Sequence, residues 1–114
     1  MSDLRGVARL KIDDGRLEDF KRMAVEVLDI VREKDKGTLQ YDMYFNEDET
    51  ECVFLEHFVD SQAVVDHNKS LGDLLWDMLG TGTVTAELFG EPNPELKEML
   101  KNTPNKVYHH FLSI

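Results

Sequence analysis

The chain predicts an α+β fold of the split βαβ kind: a four-stranded antiparallel sheet with two helices on one face, followed by a short helix and one more strand. Two observations carry that expectation. Stretches in which apolar residues recur every second position exchange with stretches in which they recur every third or fourth. Their order along the chain is strand, helix, strand, strand, helix, strand, with Gly, Asn and Asp clusters between them.

The first strand is Gly6–Ile12, with Ala8, Leu10 and Ile12 on one side and Arg9 and Lys11 opposite. Asp13 or Asp14 can cap the helix that follows, whose stripe is Leu17, Phe20, Ala24, Val27 and Val31. Gly37 is expected to end it in a left-handed conformation. Thr38–Phe45 is the second strand, with Leu39, Tyr41, Met43 and Phe45 on one face. A polar hairpin over Asn46–Thr50 leads into Glu51–Val59, where Cys52, Phe54, Glu56 and Phe58 share one face and Val53, Leu55, His57 and Val59 the other.

That third strand is apolar on both sides, and helices cover only one face of such a sheet. A second copy of the chain is the simplest cover for the other. Asp60 or Ser61 caps the second helix, whose stripe Val64, His67, Leu71, Leu75 and Met78 can be divided at Gly72. Thr83–Phe89 is the fourth strand, Glu95–Lys101 a short helix after Pro94, and Lys106–Ile114 a fifth strand.

A chain of 114 residues suits one domain over 1–114. Thirteen basic against 23 acidic residues leave a net charge of −10, which repels phosphate backbones and anionic lipid and so argues against nucleic acid and membranes as partners. No window approaches the roughly 20 apolar residues of a membrane span, and the start lacks a basic segment followed by an apolar run, so a cytoplasmic location is expected. The single cysteine, Cys52, lies in an apolar strand where inert packing is the commoner role.

Two segments carry a family likeness. GTLQYDMYF resembles the glycine-led, tyrosine-bearing second strand of the antibiotic biosynthesis monooxygenase family. FLEHFVDSQAVVDHNKS resembles its third strand, acidic turn and second helix, with Glu56, Ala63 and His67 in the family's marked positions. ELFGEPNPEL is similar to a tail of some relatives. The resemblance implies a ferredoxin-like fold, a dimeric α+β barrel made by packing the open sheet faces of two subunits, and oxidation of phenols or quinols by oxygen with no metal or flavin cofactor. It also implies other outcomes on the same scaffold, haem degradation and sugar-phosphate isomerisation among them. Phe58 stands where many relatives place tryptophan, and the first strand has no asparagine where haem-degrading relatives keep one; both departures disfavour haem.

Among individual residues, Glu56 and His67 form the best constellation. A strand carboxylate beside a core-facing helix histidine can orient the imidazole as a base for a phenolic proton. Such a pair also pins a helix to a sheet, and that plainer role is the commoner one. Tyr41 can hydrogen-bond a substrate oxygen or stack on an aromatic ring, although a strand tyrosine is more often core. Asn68 can polarise a substrate oxygen, and Trp76 and Phe58 can supply apolar wall, with Trp76 expected in the core. His57 points to the opposite sheet face from Glu56, and His109 and His110 diverge on their strand, so no local metal-ligand spacing is present. The leading expectation is a homodimeric, cofactor-independent monooxygenase acting on a small aromatic substrate, with His67, Glu56 and Tyr41 as catalytic candidates. A non-catalytic ligand-binding barrel is the alternative, and a sugar-phosphate ketone isomerase a more distant one.

Overall fold

The computed structural model describes residues 3–114; the first two residues of the 1–114 domain lie outside them. The elements run β1 (Leu4–Ile12), α1 (Leu17–Lys34), β2 (Thr38–Phe45), β3 (Glu51–Phe58), α2 (Ser61–Leu71), α3 (Asp73–Leu79), β4 (Gly82–Phe89), α4 (Pro94–Leu100) and β5 (Asn105–Tyr108). The strands join in one sheet in the order β2-β3-β1-β4-β5. The first four pair antiparallel, as the split βαβ order requires. β5 adds a parallel edge beside β4, which makes the ferredoxin-like sheet five-stranded and mixed.

Local chemistry accounts for most boundaries. Asp60 caps α2 by accepting a hydrogen bond from the Ala63 backbone N–H at 2.9 Å. Gly72, at φ +52°, separates α2 from α3 because only glycine takes that conformation without strain. Asn93 caps α4 through the Leu96 N–H, Pro94 opens the helix, and the Asn93 N–H donates to Ser61 Oγ at 2.9 Å, tying α4 to α2.

Four expectations need correction. α1 begins at Leu17 without a side-chain cap, because Asp13 and Gly15 are used in a tight turn closed by the Arg16 N–H on the Asp13 carbonyl. Gly37 is not left-handed; it is glycine because α2 passes too close for a side chain. Leu39 is exposed, since a register shift between Thr38 and Gln40 takes it out of the alternation that buries Tyr41. β5 stops at Tyr108, so His109 and His110 lie beyond the strand, and His109 Nδ1 meets Glu91 at 2.9 Å.

The helix-side core has two clusters. One gathers Leu10, Phe20, Met23, Val27, Tyr41, Phe54, Leu75 and Met78 between α1, α3 and the sheet. The other gathers Leu4, Phe58, Val64, Leu88 and Leu96 beneath α2 and α4. On the opposite face of the sheet, β1, β3 and β2 present Val7, Val53, Leu55 and Tyr44, while Phe89 of β4 stacks on Tyr108 of β5 at 5.5 Å.

Candidate functional site

Between the two clusters lies a cavity of about 310 Å³, enclosed by the sheet, α2, α3, α4 and the segment leading into β5. Its origin is in the sequence. Gly6 and Ala8 of β1 and Ala86 of β4 face the helices at the centre of the sheet, where larger side chains would fill the space. The walls are mostly apolar, as suits a site for a small organic guest.

All six residues selected from the sequence line this cavity: Tyr41, Glu56, Phe58, His67, Asn68 and Trp76. Strand register brings the first two together, since Tyr41 pairs with Glu56 across β2 and β3, and Glu56 with Gly6 across β3 and β1. His67 descends from α2 between the Tyr41 ring, 5.0 Å away, and the Phe58 ring, 5.2 Å away. Lys69 is the other titratable side chain at the wall; Glu87, which follows Ala86 on β4, borders the cavity through its backbone and turns its side chain to the opposite sheet face.

Two expectations change here. No hydrogen bond joins His67 to Glu56 among the described residues; His67 Nδ1 instead meets Asp35 Oδ2 at 2.6 Å, with both side chains almost wholly buried. Asp35 follows α1, 32 residues before its partner, and no spacing in the sequence marks it. Trp76 is not core: it is 56% exposed at the rim of the cavity. α3 buries Leu75 and Met78, and one residue beyond Leu75 the helix has turned Trp76 away from the core.

The electrostatics divide the polar groups. Burial pushes the Glu56 carboxyl up to about 7, so the protonated acid persists far above the ordinary carboxylate range. Burial pulls His67 below its ordinary value, and the Asp35 carboxylate opposes that shift without cancelling it, so the resting imidazole is neutral. The Tyr41 phenol is raised well above 10, chiefly by burial and then by Glu56, and stays protonated as a donor. No group of three or more His, Cys, Asp or Glu side chains suited to a metal ion occurs among the described residues.

A mostly apolar chamber offering an imidazole, a raised carboxyl and a phenol has room for a small organic guest and groups able to exchange a proton with it. The family model for antibiotic biosynthesis monooxygenases matches residues 4–72, and the chain belongs to that family. No curated protein matches the chain by sequence. Among solved structures, MupZ from Pseudomonas fluorescens superposes with a TM-score of 0.82, covering 100% of this chain and 94% of its own, at 19% identity. Rv0793 from Mycobacterium tuberculosis gives 0.69 over 81% of this chain and 97% of its own, at 17% identity. A conserved protein from Methanosarcina mazei Go1 gives 0.69 over 82% and 95%, at 13% identity. At such identities the likeness establishes the fold, including, for MupZ, the segments that follow residue 72.

Proposed function

We propose that the protein is a homodimeric, cofactor-independent monooxygenase that oxidises a small aromatic phenol or quinol with molecular oxygen. The observation that supports this most is the neutral His67 imidazole on the wall of a mostly apolar cavity, with Tyr41 and Asn68 beside it as orienting groups. His67 takes the phenolic proton. The resulting anion, held away from water, is electron-rich enough to give one electron to oxygen, and the radical and superoxide recombine as a peroxide. Loss of water from the peroxide leaves one oxygen atom in the ring as a carbonyl and carries the other away. Tyr41 donates a hydrogen bond to the phenolate oxygen, and Phe58 and Trp76 contact the ring.

The dimer reading is supported by the sheet's second face, where Val7, Val53 and Leu55 form a half-buried apolar centre on the side away from the described helices. No helix among the described residues is long and apolar enough to cross a membrane.

Oxygen consumption in the presence of anthrones and naphthoquinols tests the activity. The expected result is oxygen uptake with quinone product, abolished in a His67→Gln variant that keeps the native circular dichroism spectrum. Ligand binding without turnover in the unmodified protein assigns the chain to the non-catalytic alternative. Neither turnover nor binding removes both readings.

A further inference from the structure

We infer that Asp35 is the positioning residue of the His67 base: it fixes the ring in the tautomer that presents a bare nitrogen to the cavity. The inference rests on the reading of His67 as a base, yet it concerns a property of the resting protein that is measured without any substrate.

The geometry is specific. Asp35 Oδ2 accepts from His67 Nδ1 at 2.6 Å and from the Thr38 hydroxyl at 2.7 Å, so the carboxylate is itself held from a second side. The side chains of His67 and Asp35 are 4% and 3% accessible, which removes water as a competing partner for this bond. A carboxylate only accepts, so the hydrogen of the neutral ring must sit on Nδ1 and the lone pair on Nε2. Nε2 has no hydrogen-bond partner among the described residues, nor is it sealed away as Asp35 Oδ1 is; the open space it reaches is the cavity that His67 lines. The Tyr41 and Phe58 rings then prevent the imidazole from swinging aside.

The arrangement also carries a cost that packing alone does not explain. Asp35 Oδ1 is buried without a partner, and an unsatisfied buried carboxylate oxygen is destabilising. A residue serving only to fill and satisfy this corner would be better uncharged. A carboxylate at this place instead stabilises the imidazolium that forms when Nε2 receives a proton, as a base-orienting group must.

Nitrogen-15 NMR of the histidine side chains tests this, with the His67 signals assigned by their loss in His67→Gln. The wild-type protein at pH 7.5 is expected to show a protonated Nδ1 and an unprotonated Nε2, and Asp35→Asn is expected to move the hydrogen to Nε2 and lower the His67 pKa. On any substrate the enzyme turns over, Asp35→Asn should reduce kcat by roughly 10²-fold or more with little change in KM. A wild-type spectrum with the hydrogen already on Nε2 overturns the inference even if Asp35→Asn fails to fold. A folded Asp35→Asn protein with unchanged tautomer and His67 titration overturns it as well. Absence of oxidation on every phenol tried would remove the proposed activity and leave the tautomer result standing.

Discussion

Gly37 and Ala63 approach so closely that a Cβ placed on Gly37 would lie 2.5 Å from the Ala63 Cβ and 3.0 Å from a Val59 methyl. This contact seats the first turn of α2 on the start of β2, and α2 in turn carries His67 and Asn68 to the cavity. Gly37→Ala is therefore expected to destabilise the fold by roughly 1–3 kcal/mol through overpacking, seen as a fall of several degrees in Tm. Adding Ala63→Gly should recover part of the loss, because the two residues share one contact. Equal Tm values for Gly37→Ala and the wild type would show that α2 shifts freely.

Glu56 predicts a pH dependence with a definite sign. Its carboxyl is raised from 4.5 to about 7, so between those values the unfolded chain ionises while the native protein keeps the proton. Stability from this group is complete below about 4.5 and is lost as pH rises through 7. Glu56→Gln removes the effect, and the variant should match the wild type near pH 4 but exceed it at pH 8. That rise sets a ceiling of roughly 3 kcal/mol on the gain, and water in the cavity reduces it. Urea denaturation at the two pH values measures the difference; a variant less stable than the wild type at pH 8 contradicts the account.

His67 acts in the opposite direction, since burial lowers its pKa in the native protein. Its contribution is present above about pH 6.5 and fades as pH falls, because the unfolded imidazole takes up a proton first. In the Glu56→Gln background, where the carboxyl no longer titrates, stability should fall on acidification from pH 7 to 5. Adding His67→Gln should flatten that dependence.

Sedimentation tests the open face of the sheet. The wild-type chain is expected to run as a dimer at micromolar concentration and Leu55→Glu as a monomer, because a carboxylate in the middle of the apolar strip would be desolvated on association. A folded wild-type monomer contradicts the proposed assembly.

Cys52 should be inert. Burial raises its thiol to about 11, and its side chain is closed off in the core. Thiol reagents at pH 8 should label the native protein at least a hundredfold more slowly than the urea-unfolded chain, and rapid labelling would mean that β3 opens readily.

The fold was largely legible because its signals are local. The stripe Val64, His67, Leu71, Leu75 and Met78 is buried at every position, and the glycine expected to divide it does so. Alternation along β3 likewise places Glu56 toward the helices and His57 away from them, where His57 meets Asp3 at 2.9 Å. What escaped depends on relations that spacing does not encode. Asp35 is one of many acidic residues until the chain folds and brings it to His67, and Leu39 follows the strand pattern until a bulge shifts the pairing. Trp76 stands one residue beyond Leu75, about a quarter turn off the buried stripe, and its large apolar ring hid that placement from the sequence reading. The physical cause of the cavity, three small residues meeting at the sheet centre, needed the register between β1 and β4.

The chamber draws its wall from residues on both sides of position 72. Tyr41, Glu56 and His67 fall within residues 4–72, while Leu75, Trp76, Ala86, Met99 and Leu100 come afterward. Substitutions downstream can therefore reshape the cavity while leaving Tyr41, Glu56 and His67 in place.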